Sequence, residues 1–386
     1  MKILAVFIFG LYTLALIGVT LYCLLQFHLL MHYRKSRKKE NIITPLSLQS
    51  GSLPFVTIQL PVYNECYVVE RLIDNIVRID YPRDKFEIQI LDDSTDGTSE
   101  ICREKTIFYS EQGFTIHHLQ RNERHGFKAG ALQQGLSSAR GEFIAIFDAD
   151  FLPAPDFLLQ TIAHFTDPSV GVVQTRWDHI NEAYSLITRL QAFQLNVHFT
   201  IEQSGRQRAG YLLQFNGTAG VWRREAITDA GGWRSDTLTE DLDLSYRAQL
   251  KGWKIKYMQD VIAPAELPSE MSGLKSQQFR WMKGGAENAK RLIPLIIQSK
   301  LPLTQKLHAI NHLLSSSVFL FVFVLGVVSV PVLFFAESLQ INIHIYAVFM
   351  VGLLTTCTVY FVGNTVASKD DNSLLQRVLN FCMMFP

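Results

Sequence analysis

Two aspartates one residue apart, Asp148-Ala149-Asp150, directly follow the apolar run 143–147. Alternate positions at a fraying strand end bring two carboxylates close together. A divalent cation such as Mg2+ or Mn2+ relieves their repulsion, because it takes oxygen ligands from carboxylates and phosphates alike. Polar and acidic groups recur after two earlier apolar runs: Tyr63-Asn64-Glu65 after 55–60, and Asp92-Asp93-Ser94-Thr95-Asp96-Gly97 after 86–91. Lys128, set among small residues in Gly126-Phe127-Lys128-Ala129-Gly130, has room to approach a diphosphate. Thr239-Glu240-Asp241-Leu242-Asp243 gathers three carboxylates in one helical turn, and the loop 215–220 carries glycines that let backbone close on a ligand. In Gln277-Gln278-Phe279-Arg280-Trp281, Arg280 offers a planar fork for phosphate and Trp281 a flat face for a sugar ring.

Each feature taken singly also has a structural meaning. Asn64 and Thr239 are good helix caps, first-turn carboxylates complement the helix dipole, and Asp-Gly with capping Ser or Thr makes ordinary turns. For Lys128, an exposed lysine at a helix start is the commoner meaning of the pattern. Phe279 and Trp281 fit a core or a membrane interface, and Arg280 a surface charge.

The elements that must position these residues follow from periodicity. The runs 55–60, 86–91 and 143–147 are short and rich in Val, Ile and Phe, and each is followed by turn residues and a helical pattern. That is the βαβ rhythm of a mostly parallel α/β sheet, in which ligands gather beyond the carboxyl ends of the strands. All three polar clusters stand at such ends.

The 386 residues suggest two or three compact units. Thirty-six Lys and Arg against 35 Asp and Glu leave a net charge of +1, which excludes a generally basic nucleic-acid binder. The charges are segregated: 3–33, 307–336 and 338–368 contain no Asp, Glu, Lys or Arg. The first stretch exceeds the ~20 residues that cross hydrocarbon and reads as an uncleaved anchor. Arg34, Lys35, Arg37, Lys38 and Lys39 follow it, and such a cluster stays on the cytoplasmic side. The expected plan is an anchor at 1–33, a basic linker at 34–53 and a catalytic domain at 54–290. Membrane-surface helices at 291–312 come next, or equally an amphipathic helix packed on the soluble domain. Spans at 313–335 and 345–362 follow, with return to the cytoplasm at Lys369 and a segment 369–386 expected to begin a longer chain. Cys23, Cys66, Cys102, Cys357 and Cys382 lack C-x-x-C spacing or a nearby His, so neither zinc site nor disulfide framework is suggested.

Together, Asp92-Asp93, Asp148-Ala149-Asp150, Thr239-Glu240-Asp241 and Gln277-x-x-Arg280-Trp281 resemble the D, D-x-D, T/E-D, Q-x-x-R-W series of family 2 glycosyltransferases that polymerise β-linked polysaccharides, such as cellulose and hyaluronan synthases. The stretch from 215–223 through Ala230-Gly231-Gly232-Trp233 and Leu250-Lys251-Gly252-Trp253 to Glu266-Leu267-Pro268 is similar to plant cellulose-synthase-like proteins of the glucomannan and xyloglucan-backbone type. The resemblance covers 54–290 and the flanking membrane plan.

It implies a Rossmann-like GT-A fold on the cytoplasmic face of the plasma membrane, or of the Golgi in a eukaryote. The donor would be UDP-glucose or GDP-mannose, and the acceptor a polysaccharide or other glycan. Carried over by motif, Tyr63, Asn64, Glu65, Asp92 and Asp93 would meet the donor, with Asp93 and Asp92 at its base or ribose. Asp148 and Asp150 would hold the diphosphate through Mg2+ or Mn2+, and Lys128 and Arg280 would neutralise it. Phe215, Asn216, Gly217, Thr218, Glu240, Gln277 and Trp281 would hold the acceptor. Asp241 would be the base, with an ordinary carboxylate pKa near ~3.9 that needs no tuning. Alternatives are a transferase adding one sugar to a lipid or short acceptor, and an inert nucleotide-sugar-binding scaffold. Only three spans are visible, fewer than an extruding channel requires, and no cyclic-dinucleotide sensing domain can be read.

Overall fold

The computed structural model describes residues 2–35, 53–339, 342–368 and 373–385. Arg37, Lys38, Lys39 and Lys369, used above to orient the chain, lie outside them. The chain divides into two compact units, one of 39–192 and 212–288, the other of 1–38, 193–211 and 289–386.

The first unit is built on a seven-stranded sheet: β1 (Val56–Val62), β2 (Phe86–Asp92), β3 (Ile116–Gln120), β4 (Phe143–Ile146), β5 (Val170–His179), β6 (Gly220–Arg223) and β7 (Lys254–Ala265), in the order β3-β2-β1-β4-β6-β5-β7. The pairs β1/β2, β1/β4, β2/β3 and β5/β7 are parallel, whereas β6 runs antiparallel to both β4 and β5. Helices cover the sheet, so its central strands are buried on both faces. One face is apolar, with Val56, Ile58, Leu60, Ile88 and Ile90 in the core. The other carries buried polar groups that satisfy each other across the parallel register: Thr57 Oγ1 donates to Glu87 (2.7 Å) and Gln59 Nε2 to Gln89 (3.0 Å). This is a mixed α/β sheet.

The second unit is helical. Among the described residues, three of its helices are long and apolar enough to cross a membrane: Lys2–Lys35, Ser317–Glu337 and Tyr346–Ala367. The first packs against both others within the unit. Gly18 permits one of these contacts, since a methyl there would lie 2.5 Å from the ring of Phe321. Leu30, Tyr33, Val197, Ile201 and Val359 form a small shared core. The helix Met271–Gln298 continues through position 290 without a break, so the expected start of membrane-surface helices at 291 is not an element boundary.

Candidate active site

The first strand ends at Val62 and the chain turns at Asn64, whose φ is +56°. Asn64 does not cap the following helix, which begins at Val69 without a side-chain cap. Its Oδ1 instead accepts from the Thr95 N–H (2.9 Å) and its own N–H donates to Ser94 Oγ (3.0 Å), stitching the loop after β1 to the loop after β2.

The two adjacent aspartates of that second loop face different surroundings. Asp92 is fully buried and its oxygens are taken: one accepts from the Ser94 N–H (2.8 Å), the other from Ser99 Oγ (2.6 Å) and His118 Nε2 (2.8 Å). Burial opposes its charge, but the bonds from His118, Ser99 and Ser94 hold its carboxyl down at about 2. Asp92 thus builds the loop expected to meet the donor. Cys102 lies close by, its ligand-type atom and those of Asp92 and His118 all within 4.8 Å of one another. No sequence spacing announces that cluster, because it is assembled from two strands and a helix.

Asp93 is clasped by Arg121, whose Nε donates at 2.6 Å and whose Nη2 reaches the other oxygen. The pairing of Asp92 with Gln120 across β2 and β3 delivers Arg121 to this place. Arg121 also bonds the carbonyls of His125 (2.8 Å) and Phe127 (2.9 Å), fixing the loop that leads to Lys128. From the same loop, the Arg124 guanidinium lies 3.3 Å over the ring of Tyr63. Nothing local in the sequence marks Arg121, which only the register of β2 on β3 brings here.

The centre of the site lies where the third loop, a helix start and the loop 215–219 converge. Lys128, in the first turn of the helix Phe127–Ser138, donates to Asp148 Oδ1 at 2.5 Å and to the Gly217 carbonyl at 3.0 Å. Gly217 has φ +80°, and a methyl there would stand 3.3 Å from Asp241 Oδ2 and 3.5 Å from Lys128 Nζ. Asp148, Lys128, Gly217 and Asp241 are therefore neighbours, although 93 positions separate the two aspartates in the chain.

Electrostatics mark the same group. Burial, then Asp148 and Glu65, push the Asp150 carboxyl up to about 7. Burial and the adjacent Glu240 push Asp241 up to about 7, so the untuned carboxylate expected there is replaced by one poised near neutrality. Glu65 is raised by burial, Asp148 and Asp96. Glu240 is raised by burial, against the opposing charges of Lys128 and Arg280. Burial works against the charge of Lys128, yet Asp148, Glu240 and Asp241 hold its ammonium above the usual lysine range.

The loop 215–219 is tied down on both sides. The Asp148 N–H donates to Thr218 Oγ1 (2.8 Å). Gln174, fully buried on β5, donates to the carbonyls of Thr218 and Ala219 (3.2 and 3.1 Å) and accepts from the Asn216 N–H (2.9 Å). Ser245 Oγ accepts from the Phe215 N–H (2.9 Å) and donates to the Asp241 carbonyl (2.6 Å). Phe215 itself is fully buried against Trp222, so its side chain is core packing. Thr239 does not cap its helix by side chain: Asn288 Nδ2 donates to its hydroxyl and carbonyl (2.9 and 3.0 Å). Gln277, Arg280 and Trp281 share the helix Met271–Gln298, Arg280 exposed and the other two half-buried.

The residues present suit a divalent cation. Asp148 and Asp150 supply oxygen donors only, as Mg2+ and Mn2+ prefer, and burial first, then the charge of Asp148, raises the Asp150 carboxyl, a penalty that a bound cation would relieve.

Residues 54–284 match the family model described as glycosyltransferase like family 2. Glucomannan 4-beta-mannosyltransferase 7 of Arabidopsis thaliana is 41% identical over 256 residues, 65% of this chain and 46% of its own length. Glucomannan 4-beta-mannosyltransferase 1 of Cyamopsis tetragonoloba is 41% identical over 268 residues, 68% of this chain and 51% of its own. The chain thus spans about half the length of the curated relatives it matches. A mannosyltransferase from Pyrobaculum calidifontis, solved in complex with GDP-Man and Mn2+, shares the fold with a TM-score of 0.66 at 23% identity, covering 94% of this chain and 100% of its own.

Proposed function

The chain belongs to glycosyltransferase like family 2, and on that premise we propose that it is a membrane-embedded inverting hexosyltransferase extending a β-linked polysaccharide. The donor is a nucleotide sugar, GDP-mannose before UDP-glucose, because the curated relatives are named mannosyltransferases. The observation that carries the proposal is the convergence of Lys128, Asp148 and Asp241 on Gly217. A diphosphate site and a carboxylate base must adjoin in this way if a hydroxyl is to attack a donor held there.

A sugar hydroxyl is a poor nucleophile, so a carboxylate must accept its proton as the oxygen closes on the anomeric carbon from the face opposite the nucleotide. Asp241 takes that proton. Its raised pKa makes it a better acceptor than an ordinary aspartate while leaving it ionised above neutrality. Attack from that face turns an α-linked donor into a β-linked product. Lys128 and Arg280 face the negative charge that builds on the leaving diphosphate. Asp148 and Asp150 would hold Mg2+ or Mn2+, which when bound neutralises the same diphosphate. Trp281 and the loop 215–218 offer the acceptor its surface, and Asp93 with Tyr63 lies toward the base once Arg121 and Arg124 have ordered their loop. The three long apolar helices among the described residues anchor the protein, and Arg34 and Lys35 at the end of the first favour a catalytic unit on the cytoplasmic side.

The test is to incubate membranes carrying the protein with each labelled donor and digest the product with linkage-specific glycanases. Label from GDP-mannose released by a β-mannanase supports the proposal. No transfer from any donor with Mg2+ or Mn2+ contradicts it, and a single added sugar contradicts the polymerising part.

A further inference from the structure

Lys128 is the cation at the heart of an acidic group. Its Nζ bonds Asp148 Oδ1 at 2.5 Å and the Gly217 carbonyl at 3.0 Å, and the charges of Glu240 and Asp241 also act on it. Around it stand Asp148, Asp150, Glu240 and Asp241, and burial first, then neighbouring carboxylates, raises the carboxyls of the last three. Without a positive charge in their midst, this cluster would strain the loops that carry it. The Lys128 ammonium occupies an oxygen of the very carboxylate expected to ligate the divalent cation. Lys128 and a cation on Asp148 therefore compete for one position, and two positive charges a few ångström apart repel in a partly buried site.

We propose that Lys128 is a resident counter-ion that holds the cation site assembled before loading and is displaced from Asp148 when Mg2+ or Mn2+ arrives, which frees its ammonium for the donor's diphosphate. This rests on the reading of Asp148 and Asp150 as cation ligands, and it adds that Lys128 opposes binding of the bare metal while assisting binding of the metal with nucleotide. Ordered loading follows. A cation arriving with a diphosphate brings Lys128 a new partner, whereas a cation arriving alone leaves the displaced ammonium beside it. Because the same ammonium bonds the Gly217 carbonyl next to Asp241, displacement also releases one hold on the loop beside the base.

The experiment measures Mn2+ binding to the full chain in detergent, without nucleotide, from the electron paramagnetic resonance signal of free Mn2+. Lys128→Met is expected to bind Mn2+ at least about tenfold tighter than wild type, the consequence of removing one nearby positive charge. Lys128→Arg keeps wild-type affinity, and Asp148→Asn binds more weakly. Lys128→Met binding no tighter than wild type, with Asp148→Asn weakened, overturns the displacement while leaving the cation site standing. Undiminished binding by Asp148→Asn overturns both. A second readout uses the wild-type protein alone: Mn2+ raises acylation of Lys128 by an amine-directed reagent, mapped by mass spectrometry, as the ammonium leaves its ion pair. Unchanged or reduced labelling contradicts the proposal whatever the variants do.

Discussion

Asp148 hangs from Thr218: the aspartate's backbone N–H donates to the threonine hydroxyl at 2.8 Å, and Thr218 is 1% exposed. One hydrogen bond thereby joins the strand end proposed to bind a cation to the loop proposed to meet the acceptor. Thr218→Val, nearly the same shape, leaves the Asp148 N–H without its partner at a cost of about 1–3 kcal/mol. The expected result is a lowered Tm and a raised KM for donor and acceptor together, with Thr218→Ser restoring both. A change in one KM alone would separate the two halves of the site.

Asp93 and Arg121 form a buried ion pair, 5% and 9% exposed at their side chains. Removing one partner strands the other charge, at a cost of about 3–5 kcal/mol. Arg121→Met is expected to lower stability by that order in chemical denaturation. The double variant Asp93→Asn, Arg121→Met should lose less than the sum of the single losses, because neither charge is left alone. Additive losses would mean that the pair is not coupled.

The raised carboxyls give stability a definite pH dependence when no divalent cation is present. Asp150 binds its proton up to about 7 in the folded chain but only up to its ordinary 3.8 when unfolded. The folded state therefore holds the extra proton between these values, and stability falls as pH rises from about 4 to about 7. Asp150→Asn removes its share of that slope, while the share of Asp241 remains. In EDTA at pH 8 it should melt above wild type, by about 2–4 °C for each kcal/mol of repulsion relieved, and at pH 4 the two should coincide. A variant less stable than wild type at pH 8 would show that the Asp150 carboxylate is compensated.

What the sequence makes legible follows the range of the forces involved. β1, β2 and β4 are readable because each is a local apolar run ending in polar residues. β6, four residues long and inserted antiparallel between β4 and β5, depends on pairing between distant segments and leaves no local sign. The carboxylates Asp148, Asp150 and Asp241 are legible as chemistry, because residue type and position after a strand or at a helix start are local facts. The partners that decide their behaviour are not. Arg121 reaches Asp93 through the register of β2 on β3, and Asn288 takes the Thr239 hydroxyl that would otherwise cap a helix. The shift of Asp241 comes from burial and Glu240, which no model-compound value contains. Asp92 and Asp93 look equivalent in sequence, and only tertiary packing turns the first inward.

The central claim is that Asp241 accepts the acceptor's proton, and Asp241→Asn tests it most directly. Donor binding is measured by calorimetry with Mn2+, and transfer is followed over pH 5–9. The account predicts donor affinity close to wild type and a fall in kcat of at least about 10²–10⁴. It also predicts that wild-type activity rises with pH as the Asp241 proton is lost near about 7, and that this limb is absent from any residual activity of the variant. Near-normal turnover by Asp241→Asn, with the same pH profile, would contradict it.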